Sequence, residues 1–213
     1  MLARLFAAAV LVPTLILSTT SAPGTPASST PASSTPAPAA PSVWTIDNTH
    51  SGVGFQIRHF VSKVRGKFKD VKGTITADES AWHDGVIDVE IATASISTDN
   101  DRRDGHLKSP DFFAADSFPV IRFKSTRIER SGDNAKIHGN LTMRGVTRPV
   151  VLDGTLTGIM KSAQGDRIGF EASTTVNRVD YGVKWNRAAE AGGAMLGDEV
   201  KVEINIEAVR AKS

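Results

Sequence analysis

The sequence has no cysteine among its 213 residues. That excludes disulfide staples, a thiolate nucleophile, zinc-ribbon and iron–sulfur ligand sets, and a lipid-modified N-terminal cysteine. Any fold must be held by burial and backbone pairing alone. Aromatics other than phenylalanine are scarce, with one Tyr and three Trp. Sugar sites usually present aromatic faces beside many polar partners, and this chain is poorly supplied with them. Charge is missing from the N-terminal part, where Arg4 is the only charged residue before Val43. Beyond it stand 24 basic and 23 acidic residues, a balance too even for the clustered excess of a nucleic-acid binder.

The N-terminal apolar run is short as well. Leu5–Leu17 is broken only by Pro13 and Thr14 and falls below the roughly 20 residues a spanning helix needs. Preceded by Arg4 and followed by small residues, it reads as a secretory signal peptide over 1–22, cleaved after Ser21 or Ala22, rather than as a permanent anchor. Residues 23–42 are Ser, Thr, Pro, Ala and Gly, a composition that cannot bury enough surface to offset chain entropy. They form a disordered linker, either a tether or an unselected tail. Residues 43–213 suffice for one domain with a real core.

In that domain apolar residues recur at every second position. Val53, Phe55 and Ile57 alternate with polar or small neighbours, as do Ile87, Val89 and Ile91. Ile137, Gly139, Leu141 and Met143 follow, then Val150, Leu152, Gly154 and Leu156, then Phe170, Ala172, Thr174 and Val176. The last strand is the plainest, with Val200, Val202, Ile204, Ile206 and Ala208 against Glu199, Lys201, Glu203, Asn205 and Glu207. Such alternation predicts about eight antiparallel strands with one face on a core. Turns are expected at Asp84-Gly85, Ser131–Asn134, Arg144-Gly145 and Gln164–Asp166. The inward parity switches between Phe68 and Val71, which predicts a bulge or sharp bend at Lys69-Asp70. Periodicity does not separate a closed barrel from a two-sheet sandwich. Gly66, Gly73, Gly139 and Gly154 on inward faces mark bends or close approaches to the backbone.

Thr98–Phe118 breaks the pattern. It reads as one or two helical turns capped by Thr98 or Asp99, stopping at Ser109-Pro110, with Phe112, Phe113 and Phe118 inward. Such an excursion can serve as a lid or binding loop.

No catalytic motif appears. The histidines, His50, His59, His83, His106 and His138, have no metal-ligand spacing, and there is no nucleophile elbow or P-loop. Asp47, His50 and Ser51 would form a triad only through an unusual turn. Arg102, Arg103, Asp104 and His106 could grip a polar headgroup, or could simply brace their loop. Arg65, Lys67 and Lys69, with Arg58 nearby, form a basic stripe that is either a solvated face or a surface for anionic phospholipid. The inward face is aliphatic and phenylalanine-rich, which suits an alkyl or isoprenoid chain as well as an ordinary packed core.

Taken in order, the landmarks resemble the YceI-like family of exported lipid-binding proteins. They begin with Trp44–Asp47, His50-Ser51, Phe55-x-Ile57-x-His59 and Val64-x-Gly66-x-Phe68. Next come Arg103-Asp104-x-His106-Leu107-x-Ser109-x-Asp111-Phe112-Phe113 and Phe118-Pro119-x-Ile121-x-Phe123. Gly139–Thr142, Gly145–Val150, Asn177-Arg178-x-Asp180-Tyr181-Gly182 and Gly197–Val200 complete the series. Tyr181 stands where the family commonly has Phe, and Ala188–Ala194 looks like a variable loop.

The resemblance implies an extended, lipocalin-like antiparallel β-barrel of about eight strands with a short helical excursion. It also implies a periplasmic, non-enzymatic carrier or store for a long amphiphile such as a polyisoprenoid or isoprenoid quinone, or a fatty-acid derivative, with no metal or other cofactor. The candidate lining is Phe55, Ile57, Phe68, Val89, Ile91, Phe123, Leu141, Met143, Leu152, Phe170, Val176, Val202 and Ile204. His50, Arg103 and Asp104 are the headgroup candidates. The partner is then an amphiphilic lipid and not a nucleic acid, while transient membrane contact and a homodimer stay open. The alternatives are a cell-envelope stress or interaction protein with a packed barrel, and a hydrolase.

Overall fold

A computed structural model describes residues 41–78, 81–188 and 194–210, and side chains within those ranges except 78–84. The expected signal peptide and linker lie outside these residues, as do five positions of the Ala188–Ala194 loop.

The strands are β1 (Ser42–Ile46), β2 (Gly52–His59), β3 (Ser62–Phe68), β4 (Val71–Asp78), β5 (Ala81–Ala92), β6 (Ile96–Ser97), β7 (Val120–Ser131), β8 (Asn134–Met143), β9 (Val146–Met160), β10 (Asp166–Asn177) and β11 (Leu196–Arg210). Among the described residues one α-helix, α1 (Asp101–Lys108), stands between β6 and β7. Every pairing is antiparallel, and β1-β4-β5-β7-β8-β9-β10-β11 returns to β1, so eight strands close into a barrel. Closure gives every strand of that ring a partner on both sides.

The long strand β11 makes the closure possible. Its first part pairs with β2, from Leu196 opposite His59 to Asn205 opposite Gly52. Its last part pairs with β1, Ala208 opposite Ile46 and Val209 opposite Thr45. The β2–β3 hairpin therefore branches from the ring at one end, and β3 ends on the short strand β6. The predicted break is present: β3 stops at Phe68 and β4 starts at Val71, which lets the inward parity switch.

Two expectations are corrected. Asp84-Gly85 is no turn, because β5 runs through it. Its pairing with β4, Ile75 opposite Ile87 and Thr76 opposite Val86, outweighs the local turn preference. The cap of α1 is Asn100, neither Thr98 nor Asp99. Its side chain accepts a hydrogen bond from the Arg103 amide at 3.0 Å, the usual role of an N-cap.

One end of the barrel is plugged. Trp44, Ile75, Ala77, Ile168 and Ala208 form a separate buried cluster there, and the Arg210 guanidinium lies 4.6 Å from the Trp44 ring centre.

Candidate functional site

Above that floor the barrel is hollow. A cavity of about 610 Å³ runs between the inward faces of the strands. All thirteen residues proposed as lining face it. Phe112, Phe113 and Leu107 of the helical excursion also line it, so the excursion forms part of its wall. Phe118 does not line it; a Cβ on Gly145 would stand 2.9 Å from the Phe118 ring, in the turn between β8 and β9.

Polar lining gathers toward one end, where Arg178 also lies; Thr174, within β10, stands farther along the wall. His59 and Ser62 come from the β2–β3 turn, Thr98, Arg103 and His106 from α1 and the segment before it, and Trp185 from the segment after β10. Among the described lining residues only Ser62 and Arg103 are exposed, so the mouth opens between the hairpin and α1.

The mouth is framed by hydrogen bonds that alternation cannot reveal. The buried Arg178 donates through Nε to the Gly197 carbonyl at 2.9 Å and through Nη1 to those of Val183 and Trp185, both at 2.8 Å. Burial pushes its pKa down, partly offset by Asp198 at 3.3 Å. Arg144 donates to the carbonyls of Phe112 and Gly182 at 2.8 Å and of Pro110 at 2.9 Å, tying the excursion to the segment after β10. His106 meets Phe112 and Trp185 edge-on, at 5.0 and 4.9 Å between ring centres, and hydrogen-bonds Asp111 at 2.8 Å. Arg178 belongs to a quoted motif, yet its role as a carbonyl clamp had no periodic signal; Arg144 lay hidden in a turn.

The three headgroup candidates separate. Arg103 lines the mouth, donating to the Thr98 side chain at 2.7 Å and carbonyl at 2.8 Å. Asp104 is buried instead and accepts from the Thr98 amide at 2.8 Å and hydroxyl; it braces the loop and does not line the cavity. His50 sits outside the cavity, on the connection between β1 and β2. There it bonds Asp47 at 2.9 Å, and Arg167 bonds both Asp47 and Glu207. The His50 interaction, first among several, holds the Asp47 carboxyl at about 2, and Asp47 in turn raises the His50 pKa.

Asp47, His50 and Ser51 do not assemble a triad. The Ser51 hydroxyl donates to the Glu207 carbonyl at 3.1 Å and accepts from the Glu207 amide at 3.0 Å, which pins it to β11. Asp47, His50 and Glu207 converge closely enough to hold a cation, but Arg167 already supplies positive charge between the two carboxylates.

The comparisons with known proteins agree with this architecture. The model of the YceI-like domain matches residues 44–208. A UPF0312 protein of Staphylococcus aureus is 37% identical over 167 residues, spanning 77% of this chain and 95% of the relative. A crystal structure of the Campylobacter jejuni YCEI protein superposes with a TM-score of 0.63 at 30% identity, covering 71% of this chain and 88% of that one. A polyisoprenoid binding domain from Saccharophagus degradans, described as implicated in plant cell wall breakdown, shares the fold. Its TM-score is 0.60 at 14% identity, over 79% of this chain and 98% of that one. With its whole barrel matched, this chain belongs to the YceI-like domain family.

Proposed function

We propose that the protein is a periplasmic, non-enzymatic carrier that holds a long apolar amphiphile, a polyisoprenoid or isoprenoid quinone, inside its barrel. The observation that carries this reading is the cavity itself: about 610 Å³, lined mostly by aliphatic and phenylalanine side chains, plugged at the Trp44 end and polar chiefly toward the mouth. Ligand sites commonly span about 300–1,000 Å³ and pair an apolar wall with a few polar groups. A polyisoprenoid binding domain of the same fold supports the choice of ligand class.

The tail enters past Ser62 and Arg103 and leaves water along the strands. At about 0.8 kcal/mol per buried CH₂, ten or more carbons outweigh the cost of immobilising the chain. Affinity then comes from the tail, while Arg103 and His106 meet whatever polar group remains at the mouth. The export reading of residues 1–22 supports the periplasmic assignment, since it brings the barrel beside membranes that contain such lipids.

Purified protein, extracted with organic solvent and examined by mass spectrometry, is expected to yield a polyisoprenoid or quinone, and an apolar fluorescent probe should be displaced by the same lipid. Protein that yields no lipid and takes up no displaceable probe would overturn the proposal.

A further inference from the structure

The hairpin joining β2 to β3 has an unusual tip. Val61 is fully exposed and Phe60 is 45% exposed, although both are large apolar residues. Phe60 also has a positive φ of 50°, a conformation that costs energy for a bulky side chain. Hydrogen bonds to its backbone hold it there: the Phe60 amide donates to the Met195 carbonyl at 2.8 Å, and the Arg58 guanidinium donates to the Phe60 carbonyl at 3.2 Å. The turn is therefore built rather than frayed, and it presents apolar side chains to solvent. On either side of the tip, His59 and Ser62 line the cavity mouth.

Charge along the hairpin itself is of one sign. Between Gly52 and Lys69 there are five cations, Arg58, Lys63, Arg65, Lys67 and Lys69, and no carboxylate. Lys63, Arg65 and Lys67 are exposed on the outer face of β3, alternating with the inward Val64 and Gly66. Arg58 stands directly opposite Lys63 in the ladder, a like-charge pair that disfavours the free hairpin. The carboxylates on the neighbouring strand β11 are Asp198 and Glu199, in its bulge nearest the tip, and Glu203, opposite Gly54, and Glu207 farther toward the plugged end. Asp198 is engaged by Arg178. A second exposed apolar pair, Ile159-Met160, ends β9 at the plugged end and is followed by Lys161, which pairs with Asp166.

We propose that the β2–β3 hairpin docks the mouth of the barrel on an anionic phospholipid bilayer. Phe60 and Val61 enter the headgroup–acyl boundary, and Lys63 and Arg65 bind the lipid phosphates behind them. An apolar tip backed by cations is what an anionic interface selects, since each Lys or Arg near such a surface strengthens binding about fivefold. A soluble protein partner would meet the cations with carboxylates but would give no reason for a bare valine beside the mouth of an apolar cavity. Docking is independent of what the cavity holds, and its test leaves the interior untouched.

The absence of cysteine makes a local test direct. Val61→Cys in the full chain, labelled with an environment-sensitive NBD fluorophore, should gain emission and shift to the blue on vesicles containing phosphatidylglycerol. The response should vanish on pure phosphatidylcholine, and at about 1 M salt, where the Debye length falls to about 3 Å. Adding Lys63→Gln and Arg65→Gln should weaken the response roughly 25-fold, at about fivefold per cation. The same label on Met160→Cys at the plugged end should stay silent and reports on any binding through other parts of the chain. A silent label at position 61, an equal response at both positions, or a shift that follows protein concentration without vesicles, as a second copy would cause, overturns the proposal.

Discussion

The ring of Phe55 lies over Gly66, its partner across the β2–β3 ladder, so closely that a Cβ on Gly66 would stand 2.4 Å from Phe55 Cζ. The same Cβ would be 2.7 Å from Thr98 Cγ2, on the segment that receives Asp104 and Arg103. One missing methyl group thus seats a lining aromatic against the strand and brings the excursion close to the barrel. Gly139 does the same for Phe123, whose ring would be 2.4 Å from an added Cβ.

Gly66→Ala should therefore destabilise the domain by about 1–3 kcal/mol, the usual cost of overpacking. Phe55→Leu in the same chain should recover part of the loss, because the shorter side chain vacates the contact. Urea unfolding of the two single variants and the double variant measures this coupling.

Ala172 lines the middle of the cavity, between Gly154 on β9 and Ile204 on β11. Ala172→Phe fills empty space rather than a packed core, so stability should change by less than about 1 kcal/mol. Capture of an apolar fluorescent probe should fall at least tenfold, a loss of about 1.4 kcal/mol or more. Probe titration and thermal unfolding on the same samples separate the two effects.

Arg178→Met should cost about 3 kcal/mol, because three carbonyls lose their donor at once. Arg178→Lys should not restore it, since an ammonium cannot reproduce the guanidinium fork. Hydrogen exchange should show loosening first at 178–185 and at Gly197.

The Asp47–His50 pair predicts a pH window on the outside of the barrel. Asp47 lies below its ordinary 3.8, so its contribution is present above that value and lost as pH falls toward about 2. His50 is raised above 6.5, so its contribution is complete below 6.5 and lost as pH climbs through the raised value. The pair should be tightest between these limits. In Asp47→Asn an NMR titration of the His50 ring should show its pKa falling back toward the ordinary value.

Alternation was enough to identify β2 to β5 and β8 to β11 with their inward faces, but not β1, β6 or β7. In a strand the side-chain period is two whatever the strand pairs with, so Val200 to Ala208 announced their orientation without tertiary information. The same rule picked out Phe55, Leu141 and Val202 as interior, and the parity switch after Phe68 located the bend. The missing cysteines left burial and pairing as the means of holding the barrel. Only the tertiary structure decided whether that interior was filled, because a packed core and a lined cavity have the same composition and differ only in how far apart the facing strands stand. It also sorted the polar residues. Asp104 and Arg103 are neighbours in the chain, yet one is buried on Thr98 and the other lines the mouth, since α1 aims successive side chains in different directions. His50 fell away from the mouth for a related reason: its place depends on which end of β11 its connection packs against, a long-range pairing that no local pattern records.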